Sequence, residues 1–279
     1  MDIQRIAAFS RGEQGGNPAG VVLLDQPALD TDMARIAAEV GYSETAFAVR
    51  EDDSGKNWRV RYFSPESEVP FCGHATIALG AALGQHVGEG SFNLALNEAA
   101  ISVSAAPKDG GMTATLSSPP TKSKALPEAD LADILALFDL SAKDLDEQLA
   151  PAHIHGGADH AVLALKNRTK LADMHYDLDE GRTLMRKLGL VTIMLVYIES
   201  NQSFDVRNAF ASGGVLEDPA TGAAAAAFAG YLRDQTWPHG GKITIRQGED
   251  MGSPSLITVE LSEERGAPVK VTGHARNIK

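Results

Sequence analysis

Two short stretches constrain this chain most. Residues 75–84 read ATIALGAALG, and residues 220–230 read ATGAAAAAFAG. Both have helical composition and almost no polar side chain on any face. A helix that is apolar all round must be buried on all sides. Its small residues let neighbouring backbone approach closely. Each stretch is therefore expected to be the axis of a sheet curled around it, and two such axes imply two cores. A chain of 279 residues also exceeds the usual size of one core.

The elements around the two stretches repeat in order. The first half reads as strand (6–9), turn-rich GEQGGNPAG, strand (21–25), helix (30–40) with Asp30 or Thr31 as its cap, and a stop at Gly41. Strands over 44–50 and 58–64 follow, then the first apolar helix. The second half reads as strand (160–165), helix (179–188) stopped at Gly189, strands over 191–198 and 204–210, then the second apolar helix. Landmarks keep their order at similar offsets. Val21 and Val162 are 141 residues apart, Gly41 and Gly189 148, Arg61 and Arg207 146, and Ala75-Thr76 and Ala220-Thr221 145. Repeats of this length indicate homologous domains rather than a solenoid. The proline-rich segment 117–130 reads as the linker. The expected fold is α+β, with two pseudosymmetric domains over 1–118 and 119–266. Each is a barrel-like, mostly antiparallel sheet wrapped around a central apolar helix. A last strand within 267–279 is a candidate to return to the first domain.

Charge narrows the partners. Lys and Arg number 25 and Asp and Glu 37, giving a net charge of −12 with no basic stripe. Such a chain repels nucleic-acid backbones and anionic membranes. The start of the chain shows no secretory signal, and the longest apolar run, 223–232, is far short of the ~20 residues that span a bilayer. A single cysteine, Cys72, fits a reducing compartment. The expectation is a cytoplasmic protein that handles a small molecule.

The N-terminus of each buried helix carries unpaired N–H groups and about half a positive charge. If the two domains face each other, both ends point into one cleft suited to a carboxylate or phosphate. Three stretches place polar groups there. In GYSETAFAV, Glu44 stands at the mouth of an apolar strand, either as a solvated strand-end acid or as a partly desolvated proton carrier. In CGHAT, His74 is either a helix-start residue bonded to backbone or an imidazole that orients substrate, whereas Cys72 reads as a small buried hydrophobe. In EDPATG, Asp218 before Pro219 reads as a helix N-cap. The offset of 145 also sets it opposite His74 in the repeat. His153, His155 and His160 read as surface polar residues. No CxxC spacing supports a metal site, and no GxSxG, phosphate-binding loop or GxGxxG appears.

Together, GNPAGVV (16–22), SETAF (43–47), FSPESEVPFCGHAT (63–76) and EDPATGAA (217–224) resemble the PhzF family, the phenazine-biosynthesis-like isomerases. The resemblance implies a diaminopimelate epimerase-like fold and a proton-shuttling isomerase without cofactor or metal, acting on a small carboxylated, unsaturated substrate as a homodimer. It places the acid/base on Glu44 and groups that hold and polarise the substrate on His74 and Asp218. Backbone at Gly73 and Gly222, together with Asn17, is expected to meet the substrate. Epimerase relatives use two cysteines, and this chain has one. An epimerase acting without two thiols and a non-catalytic binding homologue are the alternatives. Two positions depart from the phenazine pattern: Ala223 replaces a serine, and Ser253 replaces an arginine.

Overall fold

The structure is a computed structural model that describes residues 2–97, 99–108 and 111–279. The chain divides into two compact units, residues 1–117 with 271–279 and residues 118–270. In chain order the first unit holds β1 (Gln4–Ala8), β2 (Asn17–Leu24), α1 (Asp30–Val40), β3 (Thr45–Arg50), β4 (Asn57–Phe63), β5 (Glu68–Val69), α2 (Gly73–Val87), β6 (Gly90–Ala95), β7 (Ala100–Lys108) and β8 (Gly111–Ser117). The second holds β9 (Lys122–Ala125), α3 (Glu128–Leu137), β10 (Ala152–His155), β11 (Asp159–Leu165), α4 (Arg168–Ala172), α5 (Leu178–Leu188), β12 (Thr192–Ser200), β13 (Ser203–Ala209), β14 (Glu217–Asp218), α6 (Gly222–Asp234), β15 (Lys242–Gln247) and β16 (Ser255–Glu260). The last strand, β17 (Lys270–Asn277), pairs with β1 and β8 of the first unit.

That return closes a barrel of eight strands in the order β1, β2, β3, β4, β6, β7, β8, β17. Two pairings, β2 with β3 and β4 with β6, are parallel; the other registered pairs are antiparallel. Helix α2 packs against β1, β2, β3, β6, β7 and β8, and every residue from Gly73 to Gly84 is buried. The small residues are what permit this. A Cβ added at Gly80 would stand 2.6 Å from Val103 Cγ2 and 3.1 Å from Ala114 Cβ. Forcing extra atoms into so tight a core costs about 1–3 kcal/mol.

The second unit repeats the pattern pairing by pairing. β10–β11 is antiparallel, β11–β12 parallel, β12–β13 and β13–β14 antiparallel, β13–β15 parallel and β15–β16 antiparallel. Helix α6 is its buried axis, packed on β9, β10, β11 and β16. Helices α1 and α5 take matching places. Each ends on a left-handed glycine, Gly41 (φ 72°) and Gly189 (φ 68°), a conformation that suits glycine. Under α1 lies a second small core of Val22, Met33, Ile36, Ala37, Phe47 and Phe63. α5 and α3 cover a larger one around Leu163, Met185, Ile193 and Leu195.

Three local expectations are corrected. The boundary between the units does fall in the segment 117–130, between Ser117 and Ser118, but the segment is not linker throughout, because Lys122–Ala125 pairs with Ala152–His155 as strand β9. Neither Asp30 nor Thr31 caps α1. The N-cap is Leu29, without a side-chain bond, and Asp30 and Asp32 instead lie in the first turn, where their charge meets the helix dipole. Nor does Asp218 cap α6. It lies in β14, paired with Asn208, and the N-cap of α6 is Thr221.

Candidate active site

Register fixes which residues of the two repeats correspond. Phe47 pairs with Arg61 and Leu195 with Arg207; Tyr62 then pairs with Val69 and Asn208 with Asp218. Asp218 therefore holds the place of Val69, not of the His74 region. Three residues separate each from its helix, so Thr221 matches Cys72 and Ala223 matches His74. The offset at the helices is 149, not 145, because the loop before β14 is longer than that before β5. By the same register Glu44 corresponds to Thr192.

Both repeats keep one ion pair. Arg61 meets Glu68 at 2.8 and 2.6 Å, and Arg207 meets Glu217 at 3.0 and 2.5 Å. Arg207 also donates to the carbonyls of Ala172 and Met174. These pairs pin the short strands β5 and β14 to β4 and β13 just ahead of the two buried helices. They are built into the frame.

Around His74 the first unit becomes particular. Glu44 immediately precedes β3, and His74 is the second residue of α2. Their side chains are only 12% and 7% exposed, and Glu44 Oε2 lies 3.3 Å from His74 Nε2. That carboxylate oxygen is buried and makes no hydrogen bond. Ser43 Oγ stands 3.4 Å from the same imidazole nitrogen, and Cys72 Sγ stands 3.4 Å from Nδ1. Cys72 makes no side-chain cap on α2. Below the cluster, Thr76 donates its hydroxyl to the carbonyl of Cys72 at 2.7 Å and meets the Tyr62 hydroxyl at 2.6 Å. Burial pushes the Tyr62 phenol far above its ordinary range, so it stays neutral. The arrangement is a carboxyl and an imidazole at the N-terminus of a buried helix, where negative charge is favoured. Glu44, Cys72 and His74 also present ligand atoms within 4.8 Å of one another, a donor set that suits a soft divalent ion such as Zn²⁺.

The remaining expected site residues lie as follows. Gly73 opens α2 and Gly222 opens α6, both buried. Asn17 is buried at the start of β2, paired with Ala8. Asp218 is 6% exposed and accepts the Thr221 hydroxyl at 2.5 Å. Ala223 is the second residue of α6. Ser253 lies in the tight connection between β15 and β16, its N–H bonded to the Gly248 carbonyl at 2.8 Å.

His160 is not a surface residue. It is fully buried on β11, its Nδ1 is 2.7 Å from Thr192 Oγ1, and burial pushes its pKa down to about 3. β11 is buried from His160 to Leu165 and paired on both edges, by β10 and β12, which a cluster of histidines in the sequence conceals. Thr221 and Gln247 were also missed. Gln247 donates to the Asp218 carbonyl at 2.7 Å and accepts the Thr221 N–H at 3.2 Å. Its signal was the QG preceding the turn that contains Ser253.

A barrel closed around a buried helix, followed by a second sheet of the same pairing order on its own buried helix, is the diaminopimelate epimerase-like fold. The phenazine biosynthesis-like protein family matches residues 6–278, and the chain belongs to that family, the PhzF isomerases. An uncharacterized isomerase of Mesorhizobium japonicum is 30% identical, with 97% of this chain and 94% of that protein covered. The trans-2,3-dihydro-3-hydroxyanthranilate isomerase of Pseudomonas aeruginosa is 28% identical, with 96% and 94% covered. The crystal structure of a PhzF-family phenazine biosynthesis protein from Bacillus anthracis superposes with a TM-score of 0.86 at 21% identity, over 99% of this chain and 96% of that one. Among the described residues no helix is long and apolar enough to cross a membrane.

Proposed function

We propose that this isomerase moves a proton between two carbons of a small, carboxylated, unsaturated metabolite, with Glu44 as the proton carrier. One observation carries the reading: Glu44 Oε2 is buried, makes no hydrogen bond and lies 3.3 Å from His74 Nε2 at the start of α2. A carboxylate oxygen engaged by no donor can meet a C–H bond without first giving up a hydrogen bond. Glu44 takes a proton from a carbon beside the unsaturation, and the C–H electron pair enters the conjugated system. The protonated Glu44 exchanges its proton with solvent and then delivers one to another carbon of the same system. Atoms and electrons balance without a redox partner. His74 orients Glu44 and the reacting group. The N–H groups that open α2, from Gly73 onward, receive the substrate carboxylate, which is the anion a helix N-terminus favours. Asp218 is assigned to polarising the substrate, as the family resemblance implies. The trans-2,3-dihydro-3-hydroxyanthranilate acted on by the Pseudomonas relative has this chemistry and is the first substrate to offer.

A two-thiol epimerase mechanism receives no support. The residue that corresponds to Cys72 is Thr221, whose hydroxyl is bonded to Asp218. Turnover in heavy water tests the proposal, with NMR following deuterium into the product. Incorporation at one new carbon, abolished by Glu44→Gln, is expected. Undiminished incorporation in that variant would sink the role.

A further inference from the structure

Six polar side chains of the second unit form one continuous chain. His160 Nδ1 meets Thr192 Oγ1 at 2.7 Å, and Thr192 Oγ1 meets Asn208 Oδ1 at 3.1 Å. Asn208 Nδ2 meets Gln247 Oε1 at 3.3 Å, Gln247 Nε2 meets Thr221 Oγ1 at 3.0 Å, and Thr221 Oγ1 meets Asp218 Oδ2 at 2.5 Å. His160, Thr192, Asn208 and Gln247 are at most 1% exposed.

The direction of every bond follows from two backbone groups. The Thr221 N–H can only donate, so the Gln247 atom facing it is the amide oxygen. The Asp218 carbonyl can only accept, so the amide nitrogen faces that. Gln247 Oε1 must then take its second bond from Asn208 Nδ2, leaving Asn208 Oδ1 to accept the Thr192 hydroxyl. Thr192, its proton committed, receives one from His160 Nδ1–H. At the other end the Thr221 hydroxyl, receiving from Gln247, donates to the Asp218 carboxylate. All links point one way, and such chains strengthen cooperatively.

The first unit shows that the frame does not need them. At the corresponding register it carries Ala19 for His160, Glu44 for Thr192, Tyr62 for Asn208, Leu96 for Gln247, Cys72 for Thr221 and Val69 for Asp218, and no such chain runs through them. Buried polar groups are costly to hold, and His160 Nε2 is buried without a hydrogen-bond partner, so a chain absent from one repeat and present in the other calls for a local cause.

We infer that this chain is a positioning relay for Asp218, with Gln247 as its pivot, and that it aims the carboxylate as an acceptor for an N–H or O–H group of the substrate. The inference rests on the reading of Asp218 as a substrate contact, and it adds a requirement to the substrate: a hydrogen-bond donor besides its carboxylate.

Two variants cut the relay. Thr192→Val removes one hydroxyl without changing shape, and Gln247→Leu copies Leu96 of the other repeat. If Gln247→Leu does not fold, Thr192→Val serves alone. The first readout needs no substrate. Hydrogen exchange at the Thr221 amide is expected to rise about tenfold in Gln247→Leu, and by severalfold in Thr192→Val, which lies three links away. Unchanged exchange in both overturns the relay. The second readout is kcat/KM with trans-2,3-dihydro-3-hydroxyanthranilate. Gln247→Leu is expected to lower it about 10- to 100-fold in the wild-type background, and to have no further effect in Asp218→Asn. If Asp218→Asn itself has no effect, the assignment of Asp218 fails. If Asp218→Asn is impaired and Gln247→Leu is not, only the relay fails.

Discussion

Glu44→Gln is the sharpest perturbation of this molecule. The change is isosteric, and the atom it alters makes no hydrogen bond, so no stabilising bond is lost beyond the 3.3 Å approach to His74. Stability is expected to hold within about 1 kcal/mol. Catalysis is not. An amide cannot carry the proton, and positioned acid/base groups contribute roughly 10²–10⁴ in rate. At about 1.36 kcal/mol per decade the barrier rises by about 3–5 kcal/mol. Glu44→Asp sharpens the test. It keeps the carboxyl but withdraws it by about 1 Å, a misplacement worth about 10²-fold. The expected order of kcat is wild type, then Asp, then Gln, with thermal unfolding nearly unchanged across the three. The assay is product formation in heavy water, read by NMR. A Gln variant that keeps more than about a tenth of the rate, or that exceeds the Asp variant, refutes the reasoning.

Three further outcomes follow from the same geometry. Glu217→Ala strands the 11%-exposed guanidinium of Arg207 and is expected to cost about 3–5 kcal/mol in urea unfolding, whereas Glu68→Ala, beside a more exposed Arg61, costs about 1 kcal/mol; equal losses would contradict the burial argument. His160 binds its proton near pH 3 when folded and near 6.5 when unfolded, so between these values the unfolded state holds more protons and stability falls as pH drops. The expected contribution to the slope is about 1.4 kcal/mol per pH unit from pH 6 to 4, absent in His160→Gln, and is read from urea midpoints. Finally, Zn²⁺ is expected to occupy Glu44, Cys72 and His74 and to inhibit, with Cys72→Ser relieving the inhibition and Cd²⁺ giving a thiolate absorption band in the unmodified protein only; inhibition unchanged by Cys72→Ser would place the ion elsewhere.

Much of the frame was legible because it is written in composition and spacing. The two apolar helices announce themselves by lacking a polar face, and Gly41 and Gly189 mark helix ends by the conformation only glycine takes readily. Paired arginines at 61 and 207 keep their register because each must meet a glutamate. What failed was alignment by letters. Ala75-Thr76 and Ala220-Thr221 match as text, yet strand pairing shifts the true correspondence by four residues, because register is set by backbone bonds and not by identity. The same limit hid the relay. His160, Thr192, Asn208, Gln247 and Thr221 are scattered over 88 positions, and each alone is an ordinary strand or turn residue.

The repeat also separates frame from chemistry without an alignment of relatives. Both units wrap a sheet on a buried helix, end α1 and α5 on glycine and lock β5 and β14 with an arginine–glutamate pair. Those shared features have a structural cause, since either half needs them to fold. The differences have none. Where the first unit places Glu44 and His74, the second has Thr192 and Ala223; where the first has Val69, the second buries Asp218. The other repeat keeps its frame with Ala223 in place of His74 and with Val69 in place of Asp218. These two exchanges put a polar group into a core against its desolvation cost. The residues that break the symmetry are thus the ones a fold-only account leaves unexplained, and they cluster at the starts of α2 and α6. PFCGHATIALG is accordingly half shared frame and half particular site: Gly73, Ala75 and Ala78 recur in the second helix as Gly222, Ala224 and Ala227, and His74 does not.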